Sequence, residues 1–144
     1  MSRKTALPGS GFDKYQRFGA YHWAECERSY AHYLRFNPPL VARYNFVLQE
    51  AKKLRPIGRL LDLGCGDGVL LDRLISLATQ VEGLDANETA LALAGEKLAH
   101  HANCRLCRGC GYQLPYQSDY LDLVVSADVI EHLADPERYL MEAV

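Results

Sequence analysis

The residues best placed to do chemistry are Asp62, Gly64, Gly66, Gly68 and Asp85. Leu60-Leu61-Asp62-Leu63 is an apolar run that breaks into Gly64-Cys65-Gly66-Asp67-Gly68, so a buried strand ends in a loop with a glycine at every second position, and a helix follows. Such a backbone turns tightly and presents bare N–H and C=O groups on which a ligand can lie. A dinucleotide loop, Gly-x-Gly-x-x-Gly, needs its third glycine where Val69 stands, and a Walker loop needs a Gly-Lys-Ser/Thr ending that is absent. Asp85 closes the run Val81-Glu82-Gly83-Leu84, about 20 residues beyond the glycines, where a carboxylate at a strand tip can accept both hydroxyls of a ribose. The plainer alternative is an ordinary strand-turn-helix corner with a surface aspartate.

Cys104-x-x-Cys107-x-x-Cys110 has the spacing of a zinc or iron–sulfur ligand run. Consecutive side chains of a strand alternate between its faces, so residues 104 and 107 point opposite ways and the three thiols converge only if the strand breaks. They are read as strand packing, and no metal is expected.

The elements that position these groups follow from periodicity. Residues 1 to 13, with Pro8, Gly9 and Gly11, read as a lead-in without fixed structure. Trp23, Cys26, Tyr30 and Tyr33 stripe one helix from about Ala20 to Phe36, which Asn37-Pro38-Pro39 stops. Leu40, Tyr44, Val47, Ala51 and Leu54 stripe a second helix, so residues 14 to 56 form a helical cap ahead of a core spanning 57 to 144. The aromatic stripe packs against the sheet; alternatively, Tyr15, Tyr21, His22 and Trp23 fold as a lid over a cationic ligand. Leu70, Leu71, Leu74 and Leu77 then line a helix, Gln80 to Asp85 a second strand, and Asn87 caps a helix carrying Leu91, Ala94 and Leu98. Asn103 to Arg108 is a third strand, and Leu121 to Ala127 reads as a central strand buried on both faces. Asp135-Pro136-Glu137 starts a last helix. Strands alternating with helices predict an α/β fold, a Rossmann-like doubly wound parallel sheet of which the N-terminal part is present, preceded by two cap helices.

The 144 residues, 49% apolar and 24% charged with a net charge of -2, describe one globular domain without the basic footprint of a nucleic-acid binder. No apolar run reaches the ~20 residues that span a bilayer, and no signal-peptide core follows Met1, so a cytoplasmic location is expected. Five cysteines without secretory context are expected as free thiols.

Gly109-Cys110-Gly111-Tyr112-Gln113-Leu114-Pro115-Tyr116, then Asp122 to Pro136 with its Val129-Ile130-Glu131-His132-Leu133-Ala134-Asp135-Pro136, together with the glycine corner and Asp85, resemble the class I S-adenosylmethionine-dependent methyltransferases. The resemblance covers about residues 58 to 144 and implies methyl transfer from S-adenosylmethionine, with S-adenosylhomocysteine as the product ligand, to a small-molecule acceptor. It implies that Asp85 holds the ribose diol, that Gly64 and Gly66 let the ligand lie against the backbone, that Cys110 and Gly111 lie beside adenine, and that Cys65 and Ala86 are further cofactor-binding positions. Ser126 sits at the strand tip where a main-chain carbonyl meets the methionine ammonium. Asp62 either braces the loop or faces that ammonium. Cys110 stands where the family commonly carries an acid that accepts from the adenine amino group; a thiol is a weak acceptor, so modest affinity is expected.

Methyl transfer needs alignment and, for a protonated acceptor, a base. Glu131 and His132 are the candidate acid–base pair, with His132 deprotonating an acceptor hydroxyl; alternatively, both brace the strand-helix loop. Asp128-x-x-Glu131-His132 is also similar to the metal site of small-RNA 3′-end methyltransferases, a lesser alternative. The family continues with a turn and three more strands that have no counterpart after Val144, which predicts either a truncated piece or an oligomer whose second chain covers the exposed edge of the strand near 121 to 125. A non-catalytic adenosyl-ligand binding or assembly fragment is the alternative of a different class.

Overall fold

The computed structural model describes residues 38 to 144. The lead-in, the first cap helix and the aromatic lid residues therefore lie outside the described residues. The first described helix, α1, runs Pro38–Lys53. Pro38 and Pro39 open it, because a proline in a first turn gives up an N–H that has no helical partner there. Its buried side chains are Leu40, Leu48 and Ala51, while Leu54, expected on the apolar stripe, lies just beyond the last helical turn and is exposed.

Strand β1, Ile57–Leu63, leads through the glycine corner into α2, Val69–Leu74, which tightens into a 3-10 turn at Ile75–Leu77. Strand β2, Ala78–Asp85, is followed by α3, Glu88–Leu98, whose N-cap is Asn87 accepting the Ala90 N–H. Strand β3 is Cys104–Arg108 and strand β4 is Leu123–Val125. Helix α4, Pro136–Ala143, begins at Asp135, whose carboxylate accepts the Arg138 N–H, with Pro136 in the first turn.

The four strands form one parallel sheet in the order β3-β2-β1-β4. The register pairs Leu63 with Leu84, Asp62 with both Gly83 and Val125, and Asp85 with Arg108, so the carboxyl ends of all four strands finish nearly level. After β3 the chain returns to the far side of β1, and this reversal opens a crevice at the strand ends.

Alternation along β1 divides the core. Leu60 packs with Leu48, Ala51, Leu70, Leu74, Ala94 and Leu98 on the face covered by α1, α2 and α3. Leu61 and Leu63 pack with Leu84, Tyr112, Val129 and Tyr139 on the face covered by α4 and the segment before β4. With both faces covered, β1 is nearly continuously apolar, as a strand in a parallel sheet must be.

The run from Leu121 to Ala127 departs from expectation. Only Leu123–Val125 is strand, and it lies at the edge of the sheet, with Leu123 and Val124 half-buried. Side chains displace the ladder at both of its ends. The Asp122 carboxylate accepts the Arg59 N–H at 2.7 Å, and the Ser126 hydroxyl donates to Leu63 O at 2.9 Å. Asp128 then turns the chain with a φ of +58°.

Candidate functional site

The glycine corner is built from left-handed backbone: φ is +84° at Gly64, +54° at Gly66 and +77° at Gly68. Residues with a Cβ rarely adopt such angles, so glycine at every second position is a steric requirement of this turn. At Gly64 the space is taken as well, since a Cβ would lie 2.5 Å from Val129 Cγ2.

The corner's donors are already engaged. Gly64 N–H and Cys65 N–H both donate to Leu84 O, at 2.7 and 3.1 Å, and Gly68 N–H donates to Cys65 O at 2.9 Å. Gly66 N–H donates to Asp85 Oδ2 at 2.8 Å. The expectation of bare N–H groups is therefore corrected: the turn closes on itself and on the end of β2, and it lacks the open donor nest that holds a phosphate.

Two carboxylates flank the corner instead. Asp85 is buried; besides Gly66 it takes the Asn87 N–H on Oδ1 at 2.8 Å. Burial raises its pKa above the usual carboxylate value, and the N–H groups of Asn87, Gly66 and Ala86 oppose that rise. Asp62 is 2% exposed, and its Oδ2 has no hydrogen-bond partner. Burial, reinforced by the charge of Asp85, pushes its carboxyl up to about 7. A buried carboxylate oxygen without a donor is costly. The corner thus favours a cationic group over an anionic one.

In front of the corner is a narrow cleft at the strand ends. Of the residues singled out in sequence, Gly64, Asp85, Ala86, Cys110 and Gly111 line it. Asp62, Cys65 and Gly66 are not among its lining residues, and the Ser126 side chain is turned toward Leu63 O and Tyr139. Glu131 and His132 occupy a 3-10 turn, Ile130–His132, beside the cleft rather than on its wall; His132 Nε2 is 3.9 Å from Glu131 Oε1, and the Glu131 side chain is 56% exposed. Their neighbours Val129 and Leu133 are the ones that line the cleft, together with Tyr112 and Tyr139. Val129 and Leu133 lie inside the Val-Ile-Glu-His-Leu motif, so attention to its apolar members would have found them. For Tyr139, on a helix remote in sequence, no local signal exists.

Cys104 packs with the cluster around Leu60 and Cys110 with the cluster around Leu61, on opposite faces of the sheet. Among the described residues, no three His, Cys, Asp or Glu side chains are gathered as a metal site requires. Asp128 is engaged elsewhere, taking Arg43 Nε at 3.0 Å and Nη2 at 3.3 Å from α1.

The methyltransferase-domain family matches residues 61–144, more than half of the chain. The chain belongs to the class I S-adenosylmethionine-dependent methyltransferase family. A ubiquinone biosynthesis O-methyltransferase of Rhizobium rhizogenes is 27% identical to this methyltransferase domain over 146 residues, covering 95% of the chain and 58% of the relative. The chain thus spans well under two-thirds of that relative's length. Among solved structures, the amino pentose methyltransferase CalS10 from Micromonospora echinaspora, bound to S-adenosylmethionine, is 26% identical with a TM-score of 0.59, covering 70% of this chain and 43% of that one. A methyltransferase from Aquifex aeolicus shares the fold at 24% identity and a TM-score of 0.61, covering 69% of this chain and 55% of its own. Among the described residues, no helix is long and apolar enough to cross a membrane.

Proposed function

We propose that this chain binds S-adenosylmethionine, and its product S-adenosylhomocysteine, in the cleft at the strand ends, and serves methyl transfer to a small-molecule acceptor. The observation that carries this reading is the pairing of a glycine corner whose donors are internally engaged with the unpartnered Asp62 Oδ2 flanking it. A phosphate-bearing ligand would find few donors and two carboxylates there. An amino-acid ammonium would give Asp62 the partner it lacks.

When bound, S-adenosylmethionine supplies an electrophilic methyl group on a sulfonium. Asp62 and Asp85 attract its positive charges, Asp85 accepts from the ribose hydroxyls with lone pairs not used by Gly66 and Asn87, and Gly64, Cys65 and Gly66 let it approach the main chain. Ala86, Cys110 and Gly111 border adenine, and Ser126 offers its carbonyl at the end of β4. Glu131 and His132 serve an acceptor that keeps its proton at neutral pH, with an imidazole nitrogen of His132 taking the proton of a hydroxyl. A hydroxyl-bearing small molecule suits this role and the name of the Rhizobium relative. The net charge of -2 supports a partner other than nucleic acid.

A second reading, a non-catalytic adenosyl-ligand binding or assembly fragment, is favoured by one observation: Glu131 and His132 stand off the cleft wall. Calorimetry with S-adenosylhomocysteine tests the site, and radiolabelled methyl transfer into a cell extract separates enzyme from binder. Absence of S-adenosylhomocysteine binding by the wild-type chain and by a variant with a widened cleft would remove both readings.

A further inference from the structure

Tyr139 lines the cleft of the proposed donor site. It is 3% exposed although it stands on α4, whose next two residues, Leu140 and Met141, are 48% and 73% exposed. Its hydroxyl lies 3.0 Å from Leu63 O, the last carbonyl of β1 before the glycine corner, and 2.8 Å from Ser126 Oγ. Ser126 Oγ is itself 2.9 Å from the same carbonyl, so two hydroxyl protons are shared among three contacts. The ring packs against Gly111, where any Cβ would collide with Cε2, and meets the Tyr112 ring edge-on at 6.2 Å. The part of the cleft that Tyr139 borders is half open to solvent and holds about 40 Å³ of water-accessible space. That admits a few waters, whereas sites for drug-sized ligands are roughly 300 to 1,000 Å³.

We propose that Tyr139 is a plug: the state described here is closed, and an adenosyl ligand enters only when α4 withdraws the tyrosine from Leu63 O and Gly111. The helix is suited to this. Its outward side chains Leu140 and Met141 are apolar and exposed. A roll of about 100°, one residue of helix, carries the Tyr139 ring off Gly111 and turns the shorter Leu140 toward the sheet, so apolar contact is kept while the ring leaves the cleft. Two further ties hold the closed state, Leu114 N–H donating to Glu142 Oε1 at 2.7 Å and Asp135 N–H donating to the Tyr112 hydroxyl at 3.3 Å.

This inference rests on the donor-site reading, and its test separates the two. When only a fraction of molecules is open, apparent affinity is reduced by that fraction. Calorimetry with S-adenosylhomocysteine on the wild-type chain, Tyr139→Ala and Tyr139→Phe is expected to show binding tightened about tenfold in the alanine variant and about threefold in the phenylalanine variant, as the closed state is weakened. The phenylalanine variant keeps the ring and its packing, so it reports even if the alanine variant fails to fold. Nitration of the wild-type chain, mapped by mass spectrometry, is expected to spare Tyr139 in the free protein and to modify it at saturating ligand. Measurable binding with equal or weaker affinity in the variants overturns the plug and leaves the donor site standing, as does a Tyr139 that remains protected at saturation. No binding by any of the three proteins overturns the donor site and the plug together.

Discussion

The Asp85 carboxylate accepts the Gly66 N–H at 2.8 Å, joining the tip of β2 to the middle of the glycine corner across 19 residues of sequence. Its other oxygen takes the Asn87 N–H, so one side chain sets both the corner and the start of α3. Asp85→Ala is expected to cost roughly 2–4 kcal/mol, since hydrogen bonds to charged groups contribute about 1.5–3 kcal/mol each and water replaces part of the loss. Urea denaturation measures this. Calorimetry on the same variant should show loss of S-adenosylhomocysteine binding.

Asp62 gives stability a pH dependence of definite sign. Its folded pKa of about 7 lies above the ordinary 3.8, so between those values the folded state holds a proton that the unfolded chain has released. Stability from this group is therefore greatest below about pH 4 and falls as pH rises through 7. Asp62→Asn should flatten the wild-type slope and raise stability at pH 8 by roughly 2–4 kcal/mol, at about 1.4 kcal/mol per pKa unit. Denaturation of both proteins at pH 5 and pH 8 gives the comparison.

The same titration should appear in binding. A ligand ammonium beside Asp62 favours the ionised carboxyl, so S-adenosylhomocysteine affinity is expected to rise between pH 5.5 and 8, with proton release that makes the calorimetric heat depend on the buffer. In Asp62→Asn the buffer dependence should vanish.

Gly64 and Val129 should be energetically coupled. Gly64→Ala places a Cβ 2.5 Å from Val129 Cγ2 at a φ of +84°, and overpacking with left-handed strain should cost about 2–4 kcal/mol. Val129→Ala in the same chain should recover about 1 kcal/mol of that by removing the clash but not the strain. A double-mutant cycle from thermal unfolding reads the coupling.

Arg43→Ala should matter little to stability. Its bidentate contact with Asp128 joins α1 to the loop after β4, but the Arg43 side chain is 54% exposed. Such pairs contribute about 0.2–1 kcal/mol and fade with salt. Denaturation at low and high ionic strength should show a difference only at low salt.

Much of this molecule is set by rules that act within a few residues. The apolar runs around Leu60, Val81 and Val125, the glycines that alone tolerate the turn at 64 to 68, the Asn87 and Asp135 caps and the Pro136 start are local steric and hydrogen-bonding choices. They place a parallel α/β sheet, its glycine corner and Asp85 in the chain before any contact is known. Tertiary structure decided what local rules do not reach. The corner's N–H groups are engaged because β2 lies alongside β1, β4 is shortened because Asp122 and Ser126 cross to β1, and Tyr139 lines the cleft because α4 folds over Gly111. Each of these depends on the meeting of residues far apart in sequence, and such meetings leave no periodicity to read. The sulfonium chemistry is inferred from the combination: the turn comes from glycine positions, and its preference for a cation comes from two carboxylates that only the folded sheet buries together.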